Sequence, residues 1–198
     1  MRLHLSGPGA GNNEHGFTMV EIAIVMVVIG LLIGVVLKGQ ALIQNARYKS
    51  LINQANELTN AYFAYLNQYG KYPGDDNTAV GRWGATTADG NNNGRIDNAE
   101  PLRANQHLAL ASLIAGTYNG TTQTILLKYG NATTATFTQA PAAMQALCAN
   151  VINFAGLDGE AAQALDSALD DGVYSTGKVR GDAAYTSGTV IANTNLCL

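Results

Sequence analysis

The hydrophobicity pattern begins with an apolar run at residues 17–37, in which Glu21 is the only charged residue. At about 1.5 Å per residue, an α-helix of this length spans roughly 30 Å, the thickness of the apolar core of a bilayer. A secretory signal has a shorter apolar region with a small-x-small cleavage site after it. The nearest such site here, Gly39-Gln40-Ala41, is weak. The pattern therefore predicts a membrane-spanning helix.

A second apolar pattern, with spacings of three and four residues, follows Lys38. Its members are Leu51, Ala55, Leu58, Tyr62, Leu66 and Tyr69. This spacing places them on one face of a helix, and the asparagines between them fall on the opposite face. Gly70 and the Pro73-Gly74 pair end the pattern. The sequence thus predicts one long helix, whose second half packs its apolar face against a folded head.

The remainder of the chain predicts short helices and short strands, and hence an α+β fold. Helices are expected at residues 102–115, 142–150 and 159–169, the last capped by Asp158. Strands are expected at residues 122–129, 132–139, 151–154, 177–180 and 189–192. The segment at residues 83–88 is expected to be non-helical.

Composition excludes several classes of function. Hydrophobic residues make up 47% of the chain, charged residues only 13%, and the net charge is −3. A nucleic-acid-binding protein shows an excess or a stripe of basic residues, and the sequence has neither. With three histidines, two cysteines and no GxSxG, P-loop or HExxH motif, the chain is not expected to be an enzyme. The acid pairs Asp75-Asp76 and Asp170-Asp171 predict solvated surface, and His107 predicts helix surface or partly buried packing.

Glu21 is the exception within the apolar run. An uncompensated carboxylate inside a bilayer costs a few kcal/mol and usually has a function. One interpretation places it near the helix end, where it reaches the headgroup region. The other interpretation requires a cation that arrives only on assembly. A protease that cuts after Gly16 would supply one, because it creates a new α-amino group at Phe17, four residues before Glu21.

The segment GFTMVEIAIVMVVIGLLIGVVL resembles the N-terminus of type IV pilin and type II secretion pseudopilin precursors. The resemblance implies that a prepilin peptidase removes residues 1–16 as a leader, by cutting after Gly16 on the cytoplasmic face of the membrane. It also implies that the same enzyme methylates Phe17, and that Glu21 pairs with the terminal amine of a neighbouring subunit.

The same resemblance implies the organisation of the whole chain. Residues 17–38 form the transmembrane and assembly helix, residues 39–70 the amphipathic second half of the helical spine, and residues 71–198 a head built on a small antiparallel β-sheet. The runs YPGDDNTAVGRWG, HLALASLIAGTY and ALDSALDDGVYSTGKVRG extend the resemblance, more loosely, to prepilin-type proteins of Gram-negative bacteria.

Two features depart from the family pattern. Glu14 and His15 stand where the leader usually carries Lys or Arg. Many type IV pilins also have a proline about twenty residues into the mature chain, where this sequence has Lys38 and Gly39.

The resemblance further implies partners and location. The partners are other copies of the chain in a helical filament, other pilins, the prepilin peptidase and an inner-membrane assembly platform, and no nucleic acid is expected. The chain is expected to be a single-pass protein of the inner membrane before assembly and part of an extracellular or periplasmic filament afterwards. A major pilin, a minor pilin and a secretion pseudopilin stay open as alternatives.

The segment at residues 89–100, DGNNNGRIDNAE, fits the calcium-loop pattern D-x-N-x-N-G-x-I-D-x-x-E at every position. In an EF-hand-type loop, oxygen atoms at positions 1, 3, 5, 7, 9 and 12 surround Ca²⁺, and a glycine at position 6 makes the sharp turn. The corresponding ligands here are Asp89, Asn91, Asn93, the Arg95 carbonyl, Asp97 and Glu100. Since Asn, Gly and Asp also form ordinary turns, a solvated turn is the alternative. Unlike a true EF-hand, this loop is not expected to have a helix before it.

Cys148 and Cys197 are the only cysteines. In a periplasmic or extracellular protein they would form a disulfide that attaches the C-terminal tail to the head. Two buried free thiols are the alternative. The disulfide also agrees with the resemblance, because type IV pilins often close their C-terminal region in this way.

These observations support three functional hypotheses. The leading one is a structural subunit of a type IV pilus or pilus-like filament, with a type II secretion pseudopilin as its close alternative. The second is a secreted monomeric calcium-binding protein, whose apolar run is a signal sequence. The third is a monomeric membrane-anchored enzyme. The first residue of the exported protein separates them: Phe17 for the pilin, a residue near Ala41 or later for the secreted protein, and Met1 for an uncut anchor.

Replacement of Gly16 tests the processing prediction. A Gly16→Val variant should stay in the membrane as the uncut precursor, because the peptidase of the resembled family tolerates little variation at this position. Immunoblotting of cell fractions distinguishes the precursor from the mature chain, which is shorter by 16 residues. Normal maturation of Gly16→Val, with an unchanged first residue, would argue against a pilin.

Overall fold

The computed structural model describes residues 16–130 and 132–198. Residues 1–15, which make up most of the expected leader, lie outside the described residues. The chain divides into two compact units, of which the first ends at Ile43 and the second runs from Gln44 to Leu198. Helix α1 (Met19–Tyr69) contributes residues to both units.

The first unit contains the apolar half of α1. All of its side chains at residues 17–37 are exposed, among them Met19 at 93% and Val35 at 70%. Among the described residues, α1 is the one helix that is long and apolar enough to cross a membrane. Because water is a poor environment for so much apolar surface, this half of α1 requires lipid or other helices around it.

The second half of α1 carries the buried stripe that the spacing predicts. Leu51, Ala55, Leu58 and Tyr62 are buried, Leu66 and Tyr69 are half-buried, and Ala61 and Tyr65 complete the stripe. The Tyr62 ring stacks on Phe137, with 5.9 Å between the ring centroids, and on Tyr72, with 5.6 Å. Aromatic stacking therefore joins this half of the helix to the sheet and to the segment that follows the helix.

Five antiparallel strands form one sheet in the order β1-β2-β3-β5-β4. The strands are β1 (Ile125–Leu126), β2 (Thr134–Gln139), β3 (Asn150–Asp158), β4 (Val179–Gly181) and β5 (Val190–Cys197). One face of the sheet is buried, with Phe137 opposite Ile152 and Ile152 opposite Leu196. Successive residues of a strand point to opposite faces, so the outer face carries the Thr and Asn residues between them. The predicted α+β class, a long N-terminal helix with a small antiparallel sheet, is confirmed.

Three shorter helices complete the second unit. They are α2 (Ala79–Trp83), which a 3-10 turn (Gly84–Thr86) follows, α3 (Glu100–Leu110) and α4 (Gly159–Leu169). The bounds of α4 are those predicted, and Asp158 caps the helix, since its Oδ1 accepts the N–H of Ala161 at 2.7 Å. Helix α2 and the 3-10 turn were not expected, and they end at Thr86, three residues before Asp89. The prediction that residues 83–88 are non-helical is therefore wrong for residues 83–86, and helical structure does precede the loop.

Helix α3 is shorter than predicted. It ends at Leu110 instead of continuing to residue 115. Ser112 has a positive φ of 59°, and the N–H of Leu113 donates to the Leu108 carbonyl at 2.9 Å. This bond pattern is that of a Schellman-type turn, which closes the helix without the expected glycine.

The helix predicted at residues 142–150 is wrong. The segment forms turns, in which the N–H of Met144 donates to the Pro141 carbonyl at 2.7 Å. The N–H of Ala140 also donates to the Ala149 carbonyl at 2.9 Å, which brings the two ends of the segment together. These bonds close the segment as a loop before β3.

The strand predictions are right in position and wrong in length. Strand β1 contains two of the eight residues expected at 122–129. Strands β3 and β5 are longer than expected, because they pair with each other from the Val151–Cys197 pair to the Asp158–Val190 pair.

The predicted Cys148–Cys197 disulfide is present, with 5.8 Å between the two Cα atoms. It connects the end of β5 to the turn before β3, beside a small buried cluster of Ala140, Met144 and Val151. The alternative of two free thiols is therefore wrong.

Loss of this bond should destabilise the fold. Cys197→Ser should lower the free energy of unfolding by about 3–4 kcal/mol, because the bond no longer closes a long loop in the unfolded chain. Denaturant unfolding without reductant measures the loss, and a Cys148→Ser/Cys197→Ser double variant should match the single one. Two thiols that titrate in the denatured, unreduced wild type would contradict the bond.

Candidate assembly site and candidate metal loop

Glu21 forms a capping box with Thr18 in the first turn of α1. The backbone N–H of Thr18 and its hydroxyl both donate to Glu21 Oε2, at 2.8 and 2.9 Å. In return, Thr18 Oγ1 accepts the N–H of Glu21 at 3.2 Å. This cap was not predicted, although the sequence carries its signal, which is the spacing Thr-x-x-Glu before an apolar run.

The cap leaves Glu21 free to bind a second donor. Both of its side-chain bonds use Oε2, and no donor among the described residues contacts Oε1. The side chains around it on the exposed helix surface are apolar, such as Val20 and Val25. Since a carboxylate offers about four acceptor positions, a cation from outside can pair with Glu21 while the cap stays intact.

The loop at residues 89–100 has two consecutive Asx turns. Asn91 Oδ1 accepts the N–H of Asn93 at 2.9 Å, and Asn93 Oδ1 accepts the N–H of Arg95 at 2.8 Å. Asn92 and Gly94 have positive φ values of 58° and 85°, which turn the backbone sharply. Each amide oxygen keeps a second lone pair, so Asn91 and Asn93 can each still bind a cation.

Asp97 and Glu100 close the loop. The Asp97 carboxylate accepts the side-chain N–H groups of Asn91 and Asn93, at 3.1 and 2.9 Å. Glu100, which is only 2% exposed, accepts the backbone N–H groups of Asn91 and Asp97, at 2.7 and 3.1 Å. Burial raises the pKa of Glu100 above its ordinary value, and the nearby carboxylates of Asp75 and Asp97 add to that rise.

Asp75 is a further carboxylate at this loop, and no motif marks it. Its Oδ1 accepts the N–H of Asn93 at 2.9 Å, and its Oδ2 accepts the N–H of Gly94 at 2.7 Å. Gly90 permits this approach, because a Cβ there would lie 2.3 Å from the Gly74 carbonyl oxygen. Asp75 was expected at the solvated surface, and this expectation is wrong because its segment packs directly against the loop.

Asp76, the other member of that acid pair, is also buried. It forms an ion pair with Arg82 and accepts the hydroxyl of Tyr65 at 2.6 Å. The Arg82 guanidinium lies over the rings of Tyr69 and Trp83, 4.3 and 4.8 Å from their centroids. The pair therefore holds the segment after α1 against the helix.

Asp89 lies apart from the other acids of the loop. Its Oδ1 accepts the N–H of Val80 at 2.8 Å, in the first turn of α2, and its carbonyl accepts Nη1 of Arg103 at 3.0 Å. Within the described part of the chain, neither Asp89 nor Asp75 forms with Asp97 and Glu100 a group whose oxygens all lie within 4.8 Å of one another. The structure thus brings four predicted ligands together, namely Asn91, Asn93, Asp97 and Glu100, and turns Asp89 towards α2.

Among the described residues, one group of three acidic side chains does have oxygens that all lie within 4.8 Å of one another. It consists of Asp166, Asp170 and Asp171. Buried Asp166 accepts the N–H of Gly172 at 2.9 Å and the hydroxyl of Tyr185 at 2.8 Å. These bonds close the turn after α4, so the group has a structural role.

Asn150 connects the loop to the sheet and to α1. Its Oδ1 accepts the N–H of Ile96 at 2.8 Å, and its Nδ2 donates to the Gly94 carbonyl at 3.2 Å and to the Tyr62 hydroxyl at 3.1 Å. Ile96 is fully buried, and the N–H of Gln139 in β2 donates to its carbonyl at 2.7 Å. One buried amide and one buried isoleucine therefore anchor the loop.

His107 is buried behind the same loop. Its Nδ1 accepts the N–H of Gly74 at 3.0 Å, and its Nε2 lies 3.2 Å from the Ala88 carbonyl oxygen. Since Gly74 N–H can only donate, Nδ1 is the acceptor and Nε2 carries the proton. His107 is fully buried, so neither part of the prediction, helix surface or partly buried packing, is right.

Comparison with known proteins identifies one family feature. Residues 11–37 match the family model described as the prokaryotic N-terminal methylation motif. No curated protein and no solved structure matches the chain. The motif, which includes Gly16, Phe17 and Glu21, supports a type IV pilin-like prepilin with a single membrane-inserted helix, and it points to a structural protein more than to an enzyme.

Acid should destabilise the head through His107. Burial lowers the pKa of His107 from 6.5 to about 4. Between these pH values the unfolded chain binds a proton that the folded chain does not bind, so the free energy of unfolding falls as the pH drops from about 6.5 towards about 4. The full effect is on the order of 3 kcal/mol, and below about pH 4 it does not grow further.

Denaturant unfolding at a series of pH values from about 7 to about 4 measures this effect. The His107→Gln variant does not titrate in this range, so it should lose this part of the pH dependence even if it is less stable at neutral pH. An identical pH slope in wild type and His107→Gln would contradict a neutral, buried His107.

Proposed function

We propose that the chain is a structural subunit of a type IV pilus or pilus-like filament, which polymerises through α1 after cleavage behind Gly16. The observation that carries this proposal is the exposed apolar half of α1, residues 17–37, in which the capped Glu21 is the only charged residue. The matched methylation motif covers the same residues and supports the same function.

An exposed apolar helix of this length has two environments that cover it. In the inner membrane, lipid tails surround the helix, which satisfies its own backbone hydrogen bonds. In a filament, the same residues of neighbouring subunits replace the lipid, and close helix packing supplies the attraction. The chain then passes from the inner membrane to an extracellular or periplasmic filament, where oxidising conditions suit the Cys148–Cys197 disulfide.

Glu21 gives this assembly its register. In a dry helix bundle an unpaired carboxylate is costly, so assembly favours the arrangement in which it meets a cation. Cleavage supplies that cation as the α-amino group of Phe17 on another subunit, whereas Lys38 lies roughly 25 Å farther along the helix. With Oε2 held by Thr18, Oε1 accepts the incoming amine, and this pairing rewards one axial offset between subunits.

A type II secretion pseudopilin is the close alternative, because it uses the same processing and the same helix. The secreted monomer is disfavoured, since cleavage near Ala41 would discard Glu21 and its cap. The membrane-anchored enzyme would leave the capped carboxylate of Glu21 without a partner in the bilayer.

Substitutions at Glu21 and Thr18 separate subunit pairing from helix capping. Glu21→Ala should leave export and cleavage intact and reduce filament yield by about tenfold or more, which corresponds to about 1.4 kcal/mol of lost pairing. Glu21→Gln should fail less completely, because an amide oxygen still accepts one hydrogen bond from the amine. Thr18→Ala weakens the cap by about 1 kcal/mol but keeps the charge, so filaments should persist.

Filaments sheared from cells are quantified against the processed protein that stays in the membrane. A wild-type yield from Glu21→Ala, with processing confirmed, would show that charge pairing does not drive assembly. Equal losses in Thr18→Ala and Glu21→Ala would assign the role of Glu21 to the cap instead.

We further propose that the loop at residues 89–100 binds one Ca²⁺, which stabilises the head. The support is electrostatic, because burial disfavours the charge of Glu100 and the carboxylates of Asp75 and Asp97 add to that effect. A cation among them would relieve this repulsion. The donors are all oxygen atoms, which is the set that Ca²⁺ prefers over transition metals.

The donors fit Ca²⁺ with one change from the sequence pattern. Asn91, Asn93, Asp97 and Glu100 would hold the ion together with the Arg95 carbonyl. Asp75 would supply the carboxylate that the pattern assigns to Asp89, since Asp89 would otherwise have to leave Val80. A mixed set of carboxylates and amides suits the modest affinity of extracellular calcium modules.

Calcium should raise the melting temperature of the full-length protein in detergent. A ligand that binds only the folded state at ten times its Kd adds about 1.4 kcal/mol to the free energy of unfolding. Asp97→Asn should abolish the gain, and Asp171→Asn, which alters the other acidic group, should retain it.

The comparison is made between excess chelator and several millimolar calcium for each variant. An unchanged melting temperature of the wild type would contradict the calcium proposal. Loss of the gain in Asp171→Asn but not in Asp97→Asn would place the ion at the turn after α4 instead.

A further inference from the structure

A groove on the outer face of the β-sheet has no role in the functions above. Its volume is about 740 Å³, which is within the range of small-molecule sites. The strands β2, β3 and β5 line it with polar side chains, namely Thr136, Thr138, Asn153, Asn193 and Asn195. The surrounding segments add apolar surface from Pro101, Pro141, Met144 and Tyr174.

A hydrogen-bonded row of amides holds the polar side of the groove in place. Asn153 Nδ2 donates to Asn193 Oδ1 and to Asn195 Oδ1, at 3.1 and 2.9 Å. Asn193 Nδ2 donates in turn to Asp182 Oδ2 at 3.1 Å. Asn195 is only 7% exposed. These bonds orient Asn153 Oδ1 and Asn195 Nδ2, neither of which has a hydrogen-bond partner among the described residues.

The two charged side chains of the groove balance each other. Arg180 donates to the Gly177 carbonyl through Nε and to the Ala143 carbonyl through Nη1, both at 3.0 Å. Asp182 Oδ2 also accepts the backbone N–H of Asn193, at 3.2 Å. The groove therefore carries one positive and one negative charge, both held in place, and it does not select a charged ligand.

The ligand that complements this groove has hydroxyl groups on its edge and an apolar face. A hydroxyl both donates and accepts, so it can bond to the amide oxygen of Asn153 and to the amide N–H of Asn195. Tyr174 is 38% exposed at the apolar side and offers a ring surface. A sugar ring combines C–H faces with a hydroxylated edge.

A peptide fits the groove less well. Strand addition requires free backbone groups at the edge of a sheet, whereas β3 pairs with β2 and β5 on its two sides. The row that faces the groove, from Asn153 to Asn195, lies on these interior strands.

We propose that this groove binds a neutral saccharide, with its hydroxyl groups on Asn153 and Asn195 and its apolar ring face on Tyr174. The site lies on the head and does not depend on cleavage after Gly16.

The test uses full-length protein in an amine-oxide detergent, because detergents with sugar headgroups would compete for the groove. The protein is applied to an array of neutral, sialylated and sulfated oligosaccharides, and the affinity for each bound one is then measured in solution. Saturable binding of a neutral oligosaccharide is expected, at least about tenfold weaker in Asn153→Ala and in Tyr174→Ala, which is about 1.4 kcal/mol. Asn67→Ala, which removes an exposed amide of α1 outside the groove, should bind like the wild type.

The melting temperature and the intact disulfide confirm the fold of each variant. Because Tyr174→Ala changes an exposed side chain, it should disturb the fold less than Asn153→Ala. Absence of saturable binding to every neutral oligosaccharide would overturn the proposal, as would binding of anionic ones alone with a steep salt dependence. Wild-type affinity in both groove variants would place the sugar elsewhere and would also overturn it. Lower filament yield in these variants without saccharide binding would identify the face as a contact between subunits instead.

Discussion

The apolar surface that α1 leaves exposed is the constraint on which the rest of the account depends. A single chain does not cover residues 17–37, so lipid or the helices of other subunits must do so. Within that surface, the one carboxylate, Glu21, is held by Thr18 and still has an oxygen free for a cation. A helix that is merely inserted in lipid needs no such group, whereas a helix that packs against copies of itself gains a defined register from it.

In contrast to the first half, the second half of the same helix has its apolar face covered by the head of its own chain. Tyr62 is buried against the sheet through Phe137, and its hydroxyl accepts a bond from Asn150. Asn150 in turn bonds to the loop at residues 89–100. Helix, sheet and loop therefore share one buried polar contact, and a cation that stabilises the loop would stabilise the attachment of the head to its helix.

Local signals predicted part of the helical structure correctly, but they missed α2 and predicted a helix at residues 142–150 that does not form. Non-local packing determined most of what they missed. The bounds of α4 follow from Asp158 and the residues after it, and the buried stripe of α1 follows from its spacing. The lengths of β3 and β5 depend on their mutual pairing, which no local pattern encodes. Asp75 and His107 are buried because Gly74 and Gly90 let two distant segments touch. For the loop, the pattern specifies residue types but not the directions of side chains, so the bond between Asp89 and Val80 was not predictable.

The first residue of the mature chain tests the central claim most directly. Intact-mass and fragmentation spectra of the protein isolated from its own cells would show which residue begins the chain and whether it is modified. The account predicts a chain that begins at Phe17, with one methyl group on its α-amino nitrogen. A mature chain that keeps Met1, or one that begins near Ala41, would contradict it.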